Sequence, residues 1–183
     1  MGHKQEKTMA QYISLLTSLI GVLGALGGAW VANFFSEKRF TAQAALEKST
    51  QNTKLLTGKG EELYLLLTSW DKSVFNYQAY QLSVVKGELT IAQFNDFLSG
   101  FDSKDTHDRL ETLLPLYFPE LSIHMKELRK HLDLGNKTYR AYENDGLDAL
   151  VAQKIIYESM INTGKAFKEL KNALSARVHE IIK

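Results

Sequence analysis

The chain contains no cysteine. That excludes disulfides, thiolate metal sites, iron–sulfur clusters and cysteine nucleophiles. Only two prolines occur, Pro115 and Pro119. Long proline-free stretches suit helices, because proline removes a backbone donor and clashes with the preceding turn. Net charge is also scarce. Residues 36–183 carry twenty basic and twenty acidic side chains. A balanced surface has no strong field for phosphate backbones, so nucleic acid is not an expected partner. No strand pattern, internal repeat or glycine-rich phosphate loop is present. Thr57-Gly58-Lys59-Gly60 lacks the buried strand that such a loop follows. No cofactor is expected.

Charge is absent altogether from Thr8 to Ser36. Within that run, residues 12–35 read YISLLTSLIGVLGALGGAWVANFF. As a helix at about 1.5 Å per residue they span roughly 36 Å, enough for a hydrocarbon core of about 30 Å. Lipid offers no hydrogen-bond partner to a free backbone, so the segment must be helical. Tyr12 marks one end, and Trp30, Phe34 and Phe35 the other, as aromatic rings favour interfacial depths. A cleaved signal peptide is the alternative, with Lys4 and Lys7 before and Gly27-Gly28-Ala29 as a cleavage site. The apolar run continues past that point through WVANFF, which favours a membrane helix. A buried helix of a soluble protein rarely has so long an uncharged run. Lys38, Arg39, Lys48 and Lys54 place more positive charge after the segment than before it. The positive-inside rule then predicts a cytoplasmic C-terminal part and a single-pass protein of the cell membrane.

Gly21, Gly24, Ala25, Gly28, Ala29 and Ala32 form a small-residue stripe on the span. Gly24 and Gly28 make the GxxxG form, which lets two helix backbones approach closely in lipid. The expected partners are the lipid bilayer and either a second copy of the chain or another membrane protein. Glycine is also generally common in membrane helices, but six small residues on one face favour a packing surface.

The expected division is an N-terminal tail 1–11, a transmembrane helix 12–35, a polar helical stalk or linker 36–60 and a soluble part 61–183. The stalk is expected to loosen or end near Gly58 and Gly60. Leu63, Leu66, Leu67, Trp70, Val74, Tyr77, Val84 and Val85 then share one helix face, up to Gly87. Thr90 and Gln93 form a capping box for a short helix with Ile91, Phe94, Phe97 and Leu98 inward, ended by Gly100. Ser103 or Asp105 caps the next, with Leu110, Leu113 and Leu114 inward. Pro115 to Phe118 reads as a tight corner and Pro119-Glu120 as a new helix start. Leu121, Met125, Leu128 and Leu132 follow, with a stop at Asp145-Gly146. The last helix begins near Leu147 and carries Leu150, Ile155, Met160, Phe167, Leu170, Leu174, Val178 and Ile182. The fold class is all-α, an antiparallel bundle of four to five helices behind one membrane helix.

Chemical signals are sparse. Glu120, His124, Glu127 and His131 share one helix face with ligand-type side chains. That face is offset from the apolar stripe and interleaved with Lys126, Arg129 and Lys130, so a solvated face is expected and no metal. His107 lies beside Asp105 and Asp108, whose placement suits helix starts. The corner Tyr117, Phe118 and Pro119 is either a docking epitope or a core plug. The sequence predicts a non-enzymatic, membrane-anchored interaction protein that self-associates or binds a protein partner. A small-molecule sensory bundle and a membrane-perturbing oligomer are the alternatives.

Overall fold

The computed structural model describes residues 2–100 and 104–183, with side-chain surroundings for residues 16–100 and 105–183. The side chains of Lys4, Lys7 and Tyr12, and Ser103 as a cap, lie outside the described residues. The described chain is all-helical: α1 (Gly2–Val85), α2 (Ile91–Ser99), α3 (Lys104–Tyr117), a single 3-10 turn (Pro119–Leu121), α4 (Ser122–Asp145) and α5 (Ala149–Ile182).

α1 is 84 residues long. Its threonines are tolerated because their hydroxyls donate back to carbonyls one turn earlier, as Thr41 does to Glu37 (3.1 Å), Thr50 to Leu46 (2.9 Å) and Thr68 to Tyr64 (2.8 Å). The chain divides into two compact units, Met1–Asn52 and Thr53–Lys183. In the first unit every residue from Leu16 onward is exposed. The expected loosening at Gly58 and Gly60 does not occur, since both lie within α1. Gly60 serves packing instead. It is buried, and a Cβ there would come 2.3 Å from Val178 Cγ2. Its missing side chain is what lets α5 approach.

The second unit has two apolar cores. One joins Leu63, Leu67, Trp70 and Val74 of α1 to Leu110 and Leu114 of α3, Phe118, Leu121, Met125 and Leu128, and Phe167, Leu170 and Leu174 of α5. Trp70 sets its edge against Phe167 at 5.0 Å between ring centroids. The other joins Leu82, Val84 and Val85 to Phe94, Tyr139, Ala152 and Ile156. Here Phe94 touches Tyr77 (5.7 Å) and Tyr139 (5.3 Å) by centroid distance, and Tyr80 stacks on Phe97 at 3.9 Å, which ties α2 down. Burying aromatic rings of this size is a leading stabilising contribution, roughly 25 cal/mol per Å² removed from water.

Cross-helix pairs set the helix directions. Asp71 of α1 meets Lys171 of α5, whereas Gln78, further along α1, meets Ser159, earlier in α5. Glu120 meets Arg177, and the carbonyl of His131 meets Ser159. α5 therefore runs against both α1 and α4.

Several boundaries follow from caps. Thr90 and Gln93 form the expected capping box. Gly87 and Gly146 take left-handed φ values of 76° and 71°, which glycine adopts at no steric cost. Asp148, which the sequence reading passed over, caps α5 by accepting from the N–H groups of Leu150 (3.0 Å) and Val151 (3.1 Å). The expected corner at Pro115 shifts. Pro115 lies inside α3, which continues to Tyr117, and the N–H of Phe118 still reaches the carbonyl of Leu114 at 2.8 Å. Proline forfeits one ladder bond, the one its missing N–H would give to the carbonyl of Glu111, and the ladder resumes after it. The turn falls at Phe118 (φ −139°, ψ 57°), and Pro119 opens the next element as expected.

Candidate functional site

The apolar segment of α1 is the most unusual surface of the chain. By length and composition this helix can cross a membrane; its apolar window has a mean hydropathy of 1.6 and is 0% buried within the protein. Leu19, Ile20, Leu23 and Leu26 are 61–63% exposed, and Trp30 is 71% exposed. Large contiguous apolar surfaces of this kind mark contact with lipid or with another protein. Aromatic rings cluster at the far end of the segment. Trp30 stacks on Phe34 at 5.9 Å, Phe35 meets Phe34 edge-on at 6.0 Å, and the Lys38 ammonium lies 4.7 Å above the Phe34 ring.

Helical geometry, at about 100° per residue, places Gly24, Gly28, Gly21, Ala32, Ala25 and Ala29 within an arc of roughly 140°. A methyl group added at Gly21, Gly24 or Gly28 would meet nothing within 4 Å. The stripe is thus open, and among the described residues no packing calls for its glycines. Gly60 and Gly135, by contrast, are each held against a neighbour.

The corner Tyr117–Phe118–Pro119 splits into separate roles. Phe118 is 0% exposed and plugs the larger core, which removes it as a surface docking residue. The ring must occupy the space where α3 turns into α4. Tyr117 is half-buried under the Lys59 ammonium, 5.7 Å from its centroid, and Pro119 is exposed. Leu116, at 66% exposed, is the open apolar residue of this corner.

Several of the carboxylates are engaged in ion pairs, and His107 and His131 each lie beside one. Glu120 accepts from Arg177 Nε at 2.8 Å. Glu127 pairs with Lys130 (3.0 Å) and faces His131 (3.3 Å), and the Lys130 ammonium holds its carboxyl below the usual range. The expected solvated face thus has this ion pairing. Among the described residues no three histidine, aspartate or glutamate side chains converge as a metal-ligand set. His107 lies 3.3 Å from Glu111 and 3.8 Å from Asp108, with its ring edge against Trp70 at a 5.3 Å centroid distance. Glu111 also pairs with Arg129. Glu62 takes Lys59 (2.8 Å) and Arg109, whose hydrogen bonds lower its pKa.

Sequence reasoning missed a polar layer between the two cores. Gln78 and Gln81 of α1, Thr138 of α4, and Ser159 and Thr163 of α5 are all buried. Ser159 donates to the His131 carbonyl at 2.5 Å and accepts from Gln78 Nε2 at 3.3 Å. Gln81 Nε2 donates to Asn136 Oδ1 at 3.3 Å. Gly135 makes room: a Cβ there would come 2.7 Å from Ser159 Oγ. Gln81 Oε1, Thr163 Oγ1 and the Tyr139 hydroxyl oxygen have no protein hydrogen-bond partner among the described residues. Burial drives the Tyr139 hydroxyl pKa up to about 12. A signal existed. Gln78 and Gln81 continue the buried register from Val74 to Val85, as Ser159 and Thr163 do from Ile156 to Ala166.

Compared with protein-family models, curated proteins and solved structures, the chain matches none of them.

Proposed function

We propose that the chain is a single-pass, membrane-anchored, non-enzymatic interaction protein. Residues 12–35 cross the bilayer, and the helices of the second unit form an antiparallel bundle held at the membrane, on its cytoplasmic side. The anchored bundle binds a protein partner or assembles with itself. One observation carries the reading: an apolar helix segment that the protein leaves wholly uncovered, beside a second unit that builds its own cores. A soluble protein's core helix would be covered by its neighbours. The bundle reading is supported by the opposed directions of α5 relative to α1 and α4. The orientation rests on Lys38, Arg39, Lys48 and Lys54 after the span.

The open stripe supplies the association surface, because small residues let helices approach and gain packing contacts in lipid. In a membrane-association reporter, Gly24→Ile combined with Gly28→Ile is expected to reduce self-association. An added Cβ at either position meets nothing within 4 Å among the described residues, so unaltered association would remove the stripe from the proposal. Purification in mild detergent is expected to return a defined oligomer or a stoichiometric protein partner. A clean monomer with neither would contradict the interaction role. A reporter fused to the C-terminus is expected to be active in the cytoplasm.

A further inference from the structure

α2 is attached to the second unit differently from its neighbours. The link before it is fastened to α1. The N–H groups of Glu88 and Leu89 donate to the Ser83 carbonyl at 2.9 and 3.2 Å, and the Ser83 hydroxyl donates to Glu88 at 3.0 Å. Left-handed Gly87 makes that turn. Beyond Thr90 the attachment is apolar. Phe94 is the one buried residue of the nine in α2, and its ring packs on Tyr77 and Tyr139. Phe97 stacks on Tyr80, and Leu98 is half-buried against the same core. Asp96, the single charge of α2, is exposed, and no ion pair joins it to another element among the described residues. The longer helices do carry such ties: Arg109 of α3 to Glu62, Arg129 of α4 to Glu111, and Lys171 of α5 to Asp71. The Tyr139 ring that receives Phe94 also carries a buried hydroxyl oxygen with no protein partner among the described residues.

We propose that α2 is a lid that swings about the Gly87–Thr90 link while α1, α3, α4 and α5 stay packed. Phe94 is its latch. Opening withdraws one buried ring and leaves the larger core and the cross-helix ion pairs intact. Moving any of the longer helices would break both. Closure leaves the Tyr139 hydroxyl without a hydrogen bond, and lifting the latch lets water supply one. The closed state is therefore held by apolar burial and opposed by an unmade polar bond. Elements so balanced open locally, well below the free energy of global unfolding.

The test is hydrogen–deuterium exchange of the full chain in nonionic detergent, read by peptide mass spectrometry. Amides of residues 94–99 are expected to exchange roughly a hundredfold faster than those of residues 139–145 and 152–156, which belong to the same smaller core. Phe94→Ala should speed the α2 amides at least about tenfold, and Phe94→Leu, which keeps an apolar latch, should speed them less. Tyr139→Phe should slow them roughly fivefold, because the closed state no longer strands a hydroxyl. Exchange between residues 110 and 128 should be the same in every variant, and far-UV circular dichroism checks that helix content is kept. Three results would each overturn the lid: α2 exchanging at one rate with residues 139–145 and 152–156, an α2 rate unmoved by Phe94→Ala, or α2 amides that Tyr139→Phe leaves unchanged or speeds up.

Discussion

Gly135→Ala is the sharpest probe of how the second unit is packed. In an open helix, alanine in place of glycine stabilises by about 1 kcal/mol. Gly164 of α5 is such a site, with nothing within 4 Å of an added Cβ. At Gly135 the new methyl would come 2.7 Å from Ser159 Oγ and 3.2 Å from Gln78 Nε2. Overpacking of this kind costs about 1–3 kcal/mol. Displacing Ser159 also breaks its bonds to the His131 carbonyl and to Gln78, and stranding buried polar groups costs about 1–3 kcal/mol. After the propensity gain, a net loss of about 2–3 kcal/mol is expected. At about 4 °C per kcal/mol for a domain of this size, Tm falls by roughly 8–12 °C. Gly164→Ala should raise it by about 4 °C on the same scale. Thermal unfolding of the full chain, followed at 222 nm in one nonionic detergent, gives both values. Ser159→Ala removes the clashing oxygen, so Gly135→Ala should cost at least 1 kcal/mol less in that background, a coupling typical of residues in contact. A Gly135→Ala protein as stable as Gly164→Ala, or a cost unchanged by Ser159→Ala, would refute the close approach.

Other perturbations separate the remaining contributions. Phe118→Ala should destabilise by about 3–5 kcal/mol, since the ring is fully buried; a loss below 1 kcal/mol in the same melting assay would make the corner a surface feature. Tyr139 has a folded pKa of about 12 against an ordinary 10.0. The unfolded chain therefore ionises first, and stability contributed below pH 10 is lost as pH rises toward 12. Tyr139→Phe should flatten that alkaline loss and leave neutral-pH stability equal or higher, because the hydroxyl oxygen has no protein partner. Glu62 behaves oppositely. Lys59 and Arg109 depress its pKa, so its contribution is present above the ordinary carboxylate value and lost as pH falls through the lowered one. Glu62→Gln should remove that part of the acid dependence in a pH series of melting curves.

Much of the fold was legible because helices announce themselves by period and punctuation. Leu63, Leu67, Trp70 and Val74 are buried where spacing put them, and Thr90, Gly87 and Gly146 bound their elements as their chemistry requires. The misreadings share a cause: a residue's local preference was overruled by what it packs against. Gly60 reads as a stop until Val178 is known to lie over it. Pro115 reads as a break, yet α3 continues past it to Tyr117. Leu150 reads as core but is 76% exposed, because the buried register of α5 runs through Ser159 and Thr163 instead. A search for apolar periodicity steps around such polar positions.

The central claim is that lipid covers residues 12–35. Membranes from cells expressing the full chain, washed in alkaline carbonate and pelleted by ultracentrifugation, test it directly. The chain, with its N-terminal sequence intact, is expected in the pellet. Recovery of that same intact chain in the supernatant would contradict the placement.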